Sequence, residues 1–227
     1  MKPTAVIFDF YGTLAQDEPG HTLEDRIAPY GLAWDYDVER THSNDGDELG
    51  PETAASRDAY EAFRRPGRVA MLEMMGVEPK DVERVYAEMY DRVVPRMVYP
   101  DTRPAIDELK AAGLRLAICS NWDWDLDLVL EQCGLTAAFE VAVTSARVGC
   151  RKPHPRIFEH TLDELGLGVD EAVYVGDTVH ADVDGPLAIG LRPIHIWRWY
   201  PRPRPALPDG VAAIDELTEV LPLLASS

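Results

Sequence analysis

Basic residues are scarce in this chain: 22 lysines and arginines stand against 40 aspartates and glutamates, a net charge of −18 over 227 residues. A field of that sign repels phosphate backbones and anionic lipid surfaces, so neither nucleic acid nor a membrane is an expected partner. A small anionic substrate stays open, because one bound cation and a few local basic groups reverse the field inside a cleft. Cysteine is scarce too. Cys119, Cys133 and Cys150 are odd in number and lack metal-type spacing, which argues against a disulfide framework or a zinc site and suits a reducing, cytoplasmic setting. No apolar run approaches the roughly 18 residues of a membrane span. Met1-Lys2-Pro3 leads straight into the first apolar stretch, so no signal peptide is expected. Repeats and low-complexity tracts are also missing. The chain is nevertheless 46% hydrophobic, enough for one domain with a large insertion or for two small ones.

The pattern begins with Val6-Ile7-Phe8, which reads as a strand buried on both faces of a parallel sheet. It ends in Asp9, and Gly12 and Thr13 turn the chain away. A carboxylate at the carboxyl end of such a strand stands where open α/β sheets bind ligands. It acts as a nucleophile in enzymes that form aspartyl intermediates, or it merely caps a turn. Residues 15–95 show no strand pattern. A short helix is expected over 22–30, with Thr22 as N-cap and Asp25 in its first turn. An exposed loop is expected over 40–50, then helices over 51–65, 67–75 and 79–94. From Tyr99 the rhythm changes. Strands at 114–119, 141–144, 172–175 and 193–196 alternate with helices at 102–112, 124–133, 155–165 and 182–189. A closing helix is expected over 213–224, and the proline-rich segment 197–208 reads as loop or edge. The expected fold class is therefore α/β with a parallel sheet and an all-helical insertion.

Three later stretches place chemistry at strand ends. Ser120-Asn121 offers a hydroxyl and an amide for a phosphoryl or carboxylate oxygen, or a cap for the next helix. Lys152, stiffened by Pro153 and Pro155, would neutralise charge if it lay beside Asp9; otherwise it is a solvated surface lysine. Gly176-Asp177 with Asp182 adds two carboxylates, which together with Asp9 make an oxygen cage suited to Mg²⁺. His180 is given no role, and Asp184 is expected to face away or cap.

Asp9-Phe10-Tyr11-Gly12-Thr13, Ser120-Asn121, Lys152-Pro153 and Gly176-Asp177 with Asp182 have the order and spacing of the haloacid dehalogenase-like hydrolase superfamily. The chain resembles that superfamily over residues 4–14 and about 99–196. The resemblance implies a Rossmann-like catalytic core formed by residues 1–14 and 96–227 and a small helical cap domain over 15–95. It implies a catalytic set of Asp9 as nucleophile, Thr13, Lys152 as charge partner and Tyr11 at the acid/base position, with substrate bound by Ser120 and Asn121. Mg²⁺ would be held by Asp9, the backbone carbonyl of Tyr11, Asp177, and Asp182 directly or through water. One position departs from the pattern. Phosphatases of the superfamily usually carry an acid/base aspartate two residues after the nucleophile, where this chain has Tyr11. A positioned acid/base typically contributes about 10²–10⁴ in rate. Tyrosine there is similar to the 2-haloacid dehalogenases, whose halide leaving group needs no proton; those enzymes, however, work without metal and have neutral groups in place of Asp177. The expected function is a Mg²⁺-dependent phosphatase of a small phosphorylated metabolite acting through an aspartyl-phosphate. The alternatives are a metal-independent dehalogenase and a non-catalytic binding protein. Specificity is expected in the helical block, where Arg26, Arg57, Arg64, Arg65 and Arg68 are candidates to meet a substrate anion. Trp122 and Trp124 either line the cleft or pack on a neighbour.

Overall fold

The computed structural model describes residues 2–35, 48–91, 93–198 and 203–225. In chain order the elements are β1 (Ala5–Phe8), β2 (Ala15–Asp17), α1 (Leu23–Ile27), α2 (Arg57–Met74), α3 (Val82–Tyr90), β3 (Arg96–Val98), α4 (Thr102–Ala111), β4 (Arg115–Ser120) and α5 (Leu126–Gln132). They continue with β5 (Val141–Thr144), α6 (Ser145–Val148), α7 (Pro155–Leu165), β6 (Ala172–Gly176), α8 (Gly185–Ala188), β7 (Arg192–Ile196), β8 (Ala212–Ile214) and α9 (Val220–Ala225).

Six strands form one parallel sheet in the order β5-β4-β1-β6-β7-β8. Phe8 of β1 is in register with Ile118 of β4 on one side and Val175 of β6 on the other. The chain runs outward from β1 through β4 to β5, then returns to its other side at β6. The order therefore reverses beside β1, and the loops part there at the carboxyl ends of the strands. This is the expected α/β Rossmann-like fold. Alternation explains the apolar runs: Val6 and Phe8 pack with Leu116, Ile118 and Val175 under α4, α5 and α9. Ala5 and Ile7 pack with Ala117, Cys119 and Tyr174 under Ile157 and Phe158 of α7. Both faces are covered, so neither tolerates polar positions, and each buried Val, Ile or Phe contributes about 1.5–3 kcal/mol.

The helices between β2 and β3 have their own apolar cluster, in which Ile27, Met71, Leu72, Val85, Tyr86 and Met89 join α1, α2 and α3. Thr22 caps α1 as expected, in a reciprocal box with Asp25. Four expectations need correction. The segment after residue 15 is not wholly helical, since β2 pairs antiparallel with β3, Ala15 facing Val98. Strands of three residues are too short to show an alternating pattern. The helices expected over 51–65 and 67–75 are one helix, α2, which starts at the Ser56 cap and runs through Pro66. An interior proline costs about 3 kcal/mol or more; Tyr60 and Arg68, Met71 and Leu72, buried on either side of it, hold the helix together. The helix expected from 182 is a π-helical turn, Val179–Asp184, followed by the short α8. The expected closing helix begins as β8, which pairs with β7 before α9 forms. Residues 40–47 of the expected loop lie outside the described residues. No described helix is long and apolar enough to cross a membrane.

Candidate active site

Asp9, Ser120 and Asp177 meet because each ends or directly follows a neighbouring strand, β1, β4 and β6. The Asp9 amide is tied to the Val175 carbonyl at 2.9 Å. Lys152 arrives from the loop after α6, and its ammonium is buried. It donates to Asp9 Oδ1 at 2.6 Å, Asp182 Oδ1 at 2.7 Å and the Tyr174 hydroxyl at 2.7 Å. Ser120 Oγ also donates to Asp9 Oδ1, at 2.8 Å. The Tyr174 hydroxyl donates in turn to the Cys119 carbonyl at 2.7 Å. Asp182 accepts the Thr178 amide on Oδ2 at 2.9 Å, so protein donors engage both its oxygens.

Backbone geometry brings the carboxylates close. Gly12 has a φ of 81°, and a Cβ there would lie 2.6 Å from Asp177 Oδ2. Only glycine meets both demands. Thr13 Oγ1 approaches Asp177 Oδ1 at 3.5 Å. The Asp177 carbonyl accepts from His195 Nε2 at 2.9 Å. Burial pushes the His195 pKa down, so the ring is neutral at pH 7 and carries its proton on Nε2.

The Asn121 side chain clamps the Lys152 backbone, Oδ1 accepting from the Lys152 amide at 2.7 Å and Nδ2 donating to the Lys152 carbonyl at 3.0 Å. That pair fixes the segment from which the lysine reaches Asp9.

Asp9, Asp177 and Asp182 are all buried, and each offers an oxygen within 4.8 Å of the others. Among the described residues, these three carboxylates face the one Lys152 ammonium, a formal charge of minus two in a site largely closed to water and a costly arrangement unless a cation joins it. Burial raises the Asp9 pKa, Asp182 adds to the effect, and Lys152 and Ser120 only partly oppose it. Burial alone would lower Lys152, but Asp182 and Asp9 overcome it and hold the ammonium above its ordinary value. The donor set is hard oxygen, the kind Mg²⁺ takes, and a dication balances the charge.

Tyr11 points its hydroxyl at Asp17 Oδ2 on β2, 3.0 Å away. Asp17 is ion-paired with Arg96 of β3. The Arg96 guanidinium lies 5.7 Å from the Tyr11 ring and 5.3 Å from the Trp122 ring. Tyr11 is therefore built into the base of the β2–β3 ribbon. Trp122 also packs edge-on against Phe10, 5.1 Å between centroids, whereas Trp124 joins a small cluster with Leu49 and Tyr60.

A cavity of about 290 Å³ lies between the helical insertion and the sheet, with Arg64, Arg68 and Tyr90 on one wall and Asn121, Trp122 and Arg151 on the other. Of the candidate arginines, Arg26 is buried and donates to the Met89 carbonyl at 2.8 Å. Arg57 is exposed, and Arg65 pairs with Glu83. Arg68 reaches Asp123 at 2.6 Å and Glu61 at 2.7 Å, while Tyr60 donates to Asp123 at 2.6 Å. These contacts join α2 to the loop after β4. Arg151, Asp123, Tyr174, Asp17 and His195 escaped the sequence reading. Tyr174 carried a signal, since a tyrosine inside a strand buried on both faces requires a partner for its hydroxyl. His180 and Asp184 are exposed and 3.8 Å apart, away from this cluster.

A strand-end aspartate paired with a buried lysine beside two more carboxylates, on a parallel α/β sheet, defines a class of hydrolases. The chain belongs to the haloacid dehalogenase-like hydrolase family, which it matches over residues 3–190. It is 28% identical over 199 residues to a ribulose-1,5-bisphosphate 5-phosphatase of Halopiger xanaduensis, covering 84% of this chain and 83% of that protein. It is 34% identical over 152 residues to a phosphoserine phosphatase of Thermus thermophilus, covering 66% of this chain and 60% of the relative. Among solved structures, a HAD phosphatase from Thermococcus onnurineus superposes with a TM-score of 0.59 at 25% identity, over 97% of each chain.

Proposed function

We propose that the protein is a Mg²⁺-dependent phosphatase of a small phosphorylated metabolite. The observation that carries this reading is the buried cluster of three carboxylates facing one ammonium, which fits a divalent cation and a phosphoryl group together. The phosphatase names of two relatives support it. Residues 15–95 act as a cap over a core made of residues 1–14 and 96–227.

Asp9 and Asp177, with the Tyr11 carbonyl, would hold the ion, and Asp182, whose oxygens are already engaged, would act through water. The ion supplies charge neutralisation on the phosphoryl oxygens. Ser120 and Lys152 both donate to Asp9 Oδ1, so the carboxylate is held in one orientation with Oδ2 outside those bonds. Asp9 attacks phosphorus; the O–P bond to Asp9 forms as the bond to the leaving oxygen breaks. Lys152 favours the ionised form of Asp9 against its burial and screens the transferred charge. Water then cleaves the aspartyl-phosphate, releasing inorganic phosphate and restoring Asp9. Tyr11 directs its proton to Asp17, so it does not serve as the acid for the leaving oxygen.

Tyr11 also supports a second reading, a dehalogenase in which Asp9 attacks carbon and halide departs unprotonated. The test is release of phosphate from a panel of phosphorylated metabolites, with and without chelator, beside halide release from 2-haloacids. Chelator-sensitive phosphate release supports the first reading; chelator-resistant halide release replaces it with the second.

A further inference from the structure

Resting on that phosphatase reading, we propose that Tyr174 is a positioning residue for the reaction: its hydroxyl takes the third proton of the Lys152 ammonium and so holds the lysine against the nucleophile. The count of protons comes first. An ammonium has three protons and no acceptor. Asp9 Oδ1 takes one at 2.6 Å, Asp182 Oδ1 a second at 2.7 Å and the Tyr174 hydroxyl the third at 2.7 Å. Two of these acceptors are charged and draw the ammonium toward different elements, Asp9 after β1 and Asp182 in the π-helical turn after β6. The third acceptor is neutral. A carboxylate in its place would deepen the negative charge of the cluster and compete with Asp9 for the lysine. A hydroxyl fixes the ammonium without adding charge.

Direction comes second. A phenol has one proton, and Tyr174 gives it to the Cys119 carbonyl at 2.7 Å, a closer contact than the 3.2 Å to Asp182 Oδ1. That bond to β4 leaves the lone pairs of the hydroxyl for Lys152. A tyrosine buried in a core needs one partner for its hydroxyl, and the Cys119 carbonyl is one. The second bond, to the lysine, is what a purely structural role leaves without a reason.

Rigidity comes third. Tyr174 of β6 is in register with Ile7 of β1, two residues before the nucleophile, and the Asp9 amide is bonded to the carbonyl of Val175, the next residue along. Paired strands therefore carry the nucleophile and the hydroxyl at a fixed spacing. The Tyr174 ring is fully buried and packs edge-on against Phe158 of α7, 5.3 Å between centroids. A water as third partner would move with the lysine; a ring held between strand and helix does not.

The experiment is steady-state hydrolysis of p-nitrophenyl phosphate by the Mg²⁺-loaded protein, comparing wild type, Tyr174→Phe, Lys152→Met and the double variant. Tyr174→Phe should lower kcat about 10–100-fold, the usual worth of a hydrogen bond to a charged group. KM should stay within about twofold, because the buried hydroxyl acts through the lysine and not on the substrate. In the Lys152→Met background the same substitution should change kcat little, since no ammonium is left to place. An equal loss in both backgrounds, a loss carried mainly by KM, or a kcat within about twofold of wild type overturns the proposal. Should Tyr174→Phe fail to fold, 3-fluorotyrosine at position 174 keeps the ring and weakens the oxygen as an acceptor. There kcat should still fall with KM held, and an unchanged kcat overturns the proposal. Should wild type release halide from 2-haloacids and no phosphate, the phosphatase reading alone fails, and the same comparison is made on halide release. Should it release neither, thermal melts in chelator decide. Non-additive effects of Tyr174→Phe and Lys152→Met sustain the placement of the lysine by Tyr174, and additive effects overturn it.

Discussion

Lys152→Met removes the ammonium that, among the described residues, faces the three buried carboxylates, while keeping a side chain of similar length. In the native arrangement the ammonium holds Asp9, Asp182 and Tyr174 at 2.6–2.7 Å, with its side chain 2% exposed. Without it the formal charge of the cluster falls from minus two to minus three. Breaking a buried pair by deleting one partner costs about 3–5 kcal/mol, because the remaining charge stays buried and uncompensated. For a chain of 227 residues that is a fall in Tm of about 6–20 °C. The assay is a thermal melt in chelator at neutral pH. A double-mutant cycle with Asp9→Asn isolates the cause. Asn has no charge to leave stranded, so the methionine substitution should cost clearly less in the Asp9→Asn background. Phosphate release should also drop about 10²–10³-fold, the usual loss when one electrostatic stabiliser of the transition state is removed. A variant that melts within a degree or two of wild type, with additive effects in the cycle, would refute the charge accounting of this site.

Asp9→Asn should abolish turnover with the melt preserved, and more than a trace of residual phosphate release would remove Asp9 as nucleophile. Tyr11→Asp should raise turnover of an alkyl phosphate more than that of an activated aryl phosphate, because only the alkyl leaving group needs a proton. Similar native rates on both esters, with no gain in the folded variant, would sink that idea. Tyr11→Phe should cost about 0.5–1.5 kcal/mol in a melt for the lost bond to Asp17. Burial would raise Asp123, but Arg68, Tyr60 and Arg64 hold its carboxyl below the ordinary value. A depressed folded pKa gives stability that is complete above the ordinary carboxylate range and lost as pH falls through the lowered value. The Tm gap between wild type and Asp123→Asn should therefore be widest near neutral pH and close in acid; a gap constant across pH would contradict it.

The strand-end chemistry was legible in the residues because its carriers adjoin strands buried on both faces. Such strands announce themselves as apolar runs, and the residue that follows each one is fixed at the carboxyl edge of the sheet. Those runs place Asp9, Ser120 and Asp177 at strand ends, while leaving Asp9 and Ser120 open between a site role and a cap and Lys152 open as a surface lysine. Local signals also marked Thr22 as a cap. They misread Pro66 as a break, since local propensity cannot weigh the burial on either side of a proline. They missed β2, β3 and β8, whose short pairing is decided by the partner strand.

Tertiary structure alone decided which groups face one another across long stretches of chain. Lys152 meets Asp9 over a separation of 143 residues, and Arg68 meets Asp123 over 55. Only packing shows that the Asn121 amide is spent on the Lys152 backbone, that the Tyr11 proton goes to Asp17, and that Arg64 and Arg151 share one cavity. A polar side chain carries its type in the sequence, but its partner is set by which elements the burial of their apolar faces brings together.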